Sequence, residues 1–191
     1  MRRLLVLIPA LLALPACDSD DPNDGPDAGD QELITTVEIT LTPQGGGTSV
    51  RLLATDENGD GIGVAYGDPG LLAAGTTYSG SIRLLDDPNG VAVTEQIAAE
   101  ADEHLFAYGS SVQGVSVAIT DTESDYLEED QGFEDYAVGL TFDVVVAAGA
   151  SGTGTLSATL YHFGDEENPK ASSTDTSDDT DVELAFPISV E

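Results

Sequence analysis

The chain contains two histidines, His104 and His162, and a single cysteine, Cys17. Each histidine stands at the end of a stretch of alternating apolar residues. His162 follows Leu156, Ala158 and Leu160 at period two, and Glu100 lies four residues before His104. If the two stretches pair, His104 and His162 with Glu100, or with Glu103 or Asp165 in its place, make a two-histidine, one-carboxylate set. Imidazole and carboxylate in that ratio suit zinc, or copper with added ligands. The same residues also fit two unrelated histidines at the rim of a fold, because spacing in sequence does not decide contact.

A second candidate is Asp56-Glu57-Asn58-Gly59-Asp60-Gly61. It matches the first half of a calcium loop, with oxygen donors at Asp56, Asn58 and Asp60 and a glycine for the sharp turn. The position of the bidentate glutamate is taken by Gly67, and strand-like sequence flanks the loop on both sides. An Asn/Asp/Gly turn that needs no ion accounts for the same residues. No nucleophile elbow, phosphate loop or HExxH is present, so no catalytic residue is assigned and the expectation is a protein that is not an enzyme. In a chain this acidic a pair of carboxylates is uninformative, which leaves an envelope hydrolase as the weakest alternative.

Cys17 closes a different motif. Arg2 and Arg3 precede an apolar run from Leu4 to Leu14, and Leu14-Pro15-Ala16-Cys17 resembles a lipobox. Residues 1–16 therefore read as a lipoprotein signal peptide and Cys17 as the acylated residue. A run of about eleven apolar residues is too short to span a bilayer, which takes about twenty. Residues 17–31, mostly Asp, Pro and Gly after the cysteine, read as an acidic, disordered tether. An acyl anchor contributes about 0.8 kcal/mol per buried methylene. With Cys17 acylated no thiol remains for a disulfide, so the fold must rest on burial or on a bound ion.

The sequence carries 36 acidic against 5 basic residues, a formal charge of -31. Beyond the signal peptide the basic side chains are Arg51, Arg83 and Lys170. Nucleic-acid binding is excluded on this ground, since phosphate contacts need clustered Lys and Arg. Such a surface repels itself at low ionic strength and is screened by salt, and the near-absence of lysine points to a saline, halophilic setting.

From residue 32 onward the dominant period is two. Leu33, Thr35, Val37, Ile39 and Leu41 alternate with Ile34, Thr36, Glu38, Thr40 and Thr42. The pattern returns at residues 50–54, 78–84, 104–108, 115–119, 140–146, 156–160 and 182–190, with glycine-rich turns between. Pro187 in the last run points to an edge strand or a bulge. Residues 94–103, rich in Ala and Glu, read as one short helix with Thr94 as its N-cap. Residues 121–136 and 164–181 read as long acidic loops. The sum is an all-β domain over residues 32–191: one antiparallel β-sandwich of about eight strands, of Greek-key or immunoglobulin-like type, with a single helix.

Several stretches resemble a family of small bacterial lipoproteins of uncharacterised role. They are residues 34–37 running into Leu41-Thr42-Pro43-Gln44-Gly45-Gly46-Gly47, then residues 71–78, 100–108, 154–162 and 180–186. Members of that family often carry the label of a type 1 periplasmic binding fold, a doubly wound arrangement. The residues here, with one helix, point to the sandwich instead. The resemblance implies an accessory role in the cell envelope, beside an outer-membrane uptake receptor. Asp18-Ser19-Asp20-Asp21 after the cysteine resembles inner-membrane retention signals as well as surface-export signals, and the overall acidity favours the outer membrane over the inner. The sequence thus leads to a lipid-anchored envelope binding module without catalysis. The alternative is a lipoprotein that captures zinc or copper.

Two outcomes are expected. Cys17→Ala, or globomycin, which blocks lipoprotein signal cleavage, moves the protein out of the membrane fraction; unchanged partition under both refutes the anchor. The melting temperature rises from very low to molar salt, and a flat profile refutes the halophilic reading.

Overall fold

The computed structural model describes residues 32–129, 132–164 and 169–191. The signal peptide, Cys17, the tether and Asp165 lie outside the described residues. The rest forms a sandwich of two sheets. In chain order the strands are β1 (Thr36–Pro43), β2 (Val50–Thr55), β3 (Ala65–Tyr66), β4 (Gly70–Leu72) and β5 (Thr77–Leu85). After helix α1 (Val93–Ala99) come β6 (His104–Ser110), β7 (Val115–Ile119), β8 (Thr141–Val146), β9 (Gly152–His162) and β10 (Thr180–Val190). One sheet has the order β3-β2-β1-β5-β8-β7 and the other β4-β10-β9-β6.

The alternating residues build the core. Val37, Ile39 and Leu41 of β1, Ile82 and Leu84 of β5, and Phe142, Val144 and Val146 of β8 are buried. They pack with Leu156, Ala158 and Leu160 of β9 and Leu184, Phe186 and Ile188 of β10 in one cluster. This is the period-two stripe of each strand turned inward. Gly80 lets a large ring into that core: it sits opposite Phe142 across the β5–β8 ladder, and a Cβ there would lie 2.4 Å from the ring.

Four expectations are corrected. Among the described residues the strands number ten, because β3 and β4 are two and three residues long and too short to show a period. The sandwich is not wholly antiparallel, since β4 pairs with β10 in parallel. The helix covers only Val93–Ala99 and its N-cap is Ala92. Thr94 lies inside the first turn, where its hydroxyl donates to the Leu84 carbonyl and accepts from the Leu84 N–H. A threonine that can bond a neighbouring strand is thereby diverted from capping. Finally, β10 lies inside its sheet, and Pro187 is tolerated for a local reason. The Ala185 N–H, two residues earlier, points outward to the Tyr66 hydroxyl, and β4 begins pairing only at Ile188. The N–H that Pro187 lacks would have met no strand.

The acidic segment after β7 is pinned by one buried carboxylate. Asp121 accepts from the Gly139 and Thr141 N–H groups and from the Tyr126 hydroxyl. Thr122 and Asp125 form a reciprocal capping box over the short 3-10 turn Glu123–Asp125, satisfying donors that the turn would leave free.

Candidate metal centre

The antiparallel order places the start of β6, the end of β9 and the start of β10 at one end of the four-stranded sheet. In the β6–β9 ladder His104 lies directly opposite His162. Their rings stack with centroids 4.6 Å apart and planes at 26°. Two further side chains close on them. Asp181 comes from a β-bulge at the start of β10, between Thr180 and Val182. Glu32 comes from the extended segment that precedes β1 of the other sheet. The bulge decides the first of these. Regular alternation would send Asp181 outward with Glu183, whereas an extra residue in the strand re-aims it inward.

The cluster is dry. The side chains of His104 and Asp181 are 0% exposed, His162 3% and Glu32 5%. One donor atom from each of the four residues lies within 4.8 Å of all the others. His104 Nε2 is 3.3 Å from Glu32 Oε1 and 3.6 Å from Asp181 Oδ2. His162 Nδ1 is 3.6 Å from Asp181 Oδ1 and 3.9 Å from Glu32 Oε2. These separations exceed the usual hydrogen-bond range of about 2.7–3.2 Å. His104 Nε2, both ring nitrogens of His162, Glu32 Oε2 and both Asp181 oxygens are buried without a hydrogen-bond partner. Tetrahedral ligands on bonds of about 2.0–2.1 Å stand about 3.3 Å apart. The donors are spaced like ligands around a small ion, slightly opened, and not like partners in a polar network.

A second set of contacts orients the first. His104 Nδ1 lies 2.9 Å from the Glu100 carbonyl. Donation there fixes a proton on Nδ1, so that in the neutral imidazole the Nε2 lone pair faces the cluster. Lys170, the only lysine of the chain, is buried beneath the same turn. Its ammonium donates to the Ala101 carbonyl at 2.8 Å, the His104 carbonyl at 2.9 Å and Glu123 Oε1 at 2.7 Å. All three of its protons are engaged. Burial lowers the Lys170 pKa, against the pull of Glu123.

Burial and the neighbouring Glu32 carboxylate push the Asp181 pKa up to about 8. Burial works against the charged forms of Glu32 and His104. Their mutual attraction across 3.3 Å outweighs it, so Glu32 is held below the ordinary carboxylate range and His104 above its ordinary value. Without an ion these shifts favour the charged forms of Glu32 and His104 and the protonated form of Asp181.

The structure brings together His104 and His162, as their strand positions allowed. Glu100 meets His104 through its main-chain carbonyl, and its carboxylate is not part of the cluster. Glu103 is likewise outside it, its pKa raised by burial and by Asp102 and Glu100. In the loop of Asp56, Asn58 and Asp60 the side chains bond within the turn. Asp56 accepts from the Asn58 and Gly61 N–H groups, Asp60 from the Ile62 N–H and the Asn58 amide.

No family profile matches the chain, and neither curated proteins nor solved structures give a match. The function is therefore argued from the cluster itself.

A pH dependence follows. Between its ordinary value of 3.8 and about 8, Asp181 binds more proton folded than unfolded, so stability falls as pH rises through that window. His104, raised above 6.5, adds to the fall. Glu32, lowered from 4.5, gives stability that is lost only in more acidic solution. The metal-free protein should melt lower at about pH 8.5 than at about pH 5.5, and Asp181→Asn should flatten the difference. Equal slopes in wild type and variant would overturn the assignment.

Proposed function

We propose that this protein captures one divalent transition-metal ion, zinc in the first place and copper in the second, at Glu32, His104, His162 and Asp181. It does so as a non-catalytic module of the cell envelope, anchored through Cys17. The observation that carries the reading is the convergence of one donor from each of four buried residues within 4.8 Å, with six nitrogen and oxygen atoms of the cluster lacking a hydrogen-bond partner. Two imidazoles favour zinc or copper over calcium or magnesium, which take oxygen. Zinc imposes no geometry of its own and accepts a mixed nitrogen and oxygen cage. Four protein donors make a closed set, whereas catalytic zinc sites keep a position open for water or substrate. Near-complete burial of the donors also supports holding an ion over turning over a substrate. The formal charge of -31 draws cations towards the surface. The lipobox and the resemblance to envelope lipoproteins support a place beside an outer-membrane uptake receptor, to which the ion would pass.

Isothermal titration of the metal-stripped protein with Zn²⁺, Cu²⁺ and Ca²⁺ tests the assignment. One zinc or copper ion per chain is expected, with binding abolished in His104→Ala/His162→Ala. Asp181→Asn should weaken binding by roughly tenfold or more, the usual scale for disturbing a ligand sphere. Absence of stoichiometric binding, or binding that the double variant retains, overturns the proposal.

A further inference from the structure

We propose that the ion acts as a latch: its occupancy closes residues 32–33 onto the domain and so ties the segment before β1 to the opposite sheet. This rests on the metal reading above. Three of the four donors, His104, His162 and Asp181, belong to β6, β9 and β10 of one sheet. Glu32 alone comes from elsewhere, from a segment that leads into β1 of the opposite sheet. The ion therefore joins two parts that no strand ladder joins.

The segment is held firmly only at its downstream end. The Thr35 N–H donates to the Leu85 carbonyl, the Thr35 carbonyl accepts from the Asp56 N–H, and the Thr35 hydroxyl accepts from the Asp87 N–H. Ile34 is buried in the core. Upstream of it, the hold narrows to two side chains. Leu33 is 44% exposed and lies against Gly59, so close that a Cβ on that glycine would fall 2.4 Å from the leucine methyl. Gly59 has φ +67°, a conformation that favours glycine, so the loop can approach the segment there. Glu32 is the other hold, and its carboxylate reaches only the cluster.

Without an ion, the Glu32 carboxylate is held by its 3.3 Å approach to His104 Nε2, and Oε2 lacks a partner. Withdrawal into water hydrates both oxygens at the cost of that single pairing, and it requires movement only at residues 32 and 33, upstream of the buried Ile34. With an ion present, withdrawal must break a ligand bond. Occupancy of the site is thus converted into a tied or a freed segment before β1.

Hydrogen exchange of the full chain in detergent, with Zn²⁺ and with EDTA, tests this beside the titration above. Zinc is expected to slow exchange of the amides of residues 33–36 by about tenfold or more at saturating ion, and by more than it slows β8. In Glu32→Gln the exchange of the same amides should be equal in zinc and in EDTA. Zinc that binds the wild type without slowing residues 33–36, or that slows every strand equally, overturns the latch and leaves the metal centre standing. Protection that survives in Glu32→Gln overturns it as well. Failure of the wild type to bind zinc instead removes the metal reading, and the latch with it.

Discussion

Two carboxylates buried beside two imidazoles set the terms for one end of this sandwich. An isolated ionised carboxylate is too costly to keep in a dry interior, so such groups pair, take up a proton or coordinate a metal. Glu32 pairs with His104 and Asp181 takes up a proton, yet six nitrogen and oxygen atoms of the cluster still lack hydrogen bonds. A cation placed among them answers the charge and the missing partners together. The surrounding structure keeps three of the four groups in place whether or not that happens. The β6–β9 ladder fixes the imidazoles, the bulge in β10 fixes Asp181, and the Lys170 ammonium fixes the turn that delivers His104.

Most of the sandwich is readable in the sequence because one face of each long strand meets the core. The stripes of β1, β5, β8, β9 and β10 are visible as alternation. So is the position of His162, which ends the β9 stripe. Alternation cannot reveal which strands pair, and the direct opposition of His104 and His162 became visible only with the register. Asp181 was hidden for a definite reason: parity assigns it to the outer face with Glu183, and only the bulge reverses it. Glu32 was hidden by its surroundings, as the first acid of the domain, directly after a tether in which every acid looks alike. Glu100 was chosen for its carboxylate and contributes its carbonyl, a role open to any residue at that position.

The acidic loops obey the same rule as the site. Residues 121–136 carry an excess of negative charge that sequence reading assigns to solvent. Asp121 nevertheless turns inward to three donors, and Glu123 turns inward to Lys170. Each inward carboxylate finds a donor close to it in charge or geometry, and the other described acids of the segment are exposed. Loops without apolar periodicity are thus tied to the core at a few polar points.

Lys170 has a consequence for the chemistry of the whole surface. It is the one ε-amine in the chain, and it is 1% exposed with every proton engaged. Reagents that acylate amines, whether dyes, biotin esters or cross-linkers, therefore find no lysine on the folded domain. Modification at this position becomes a gauge of how often the end of the sandwich that carries the histidines comes apart.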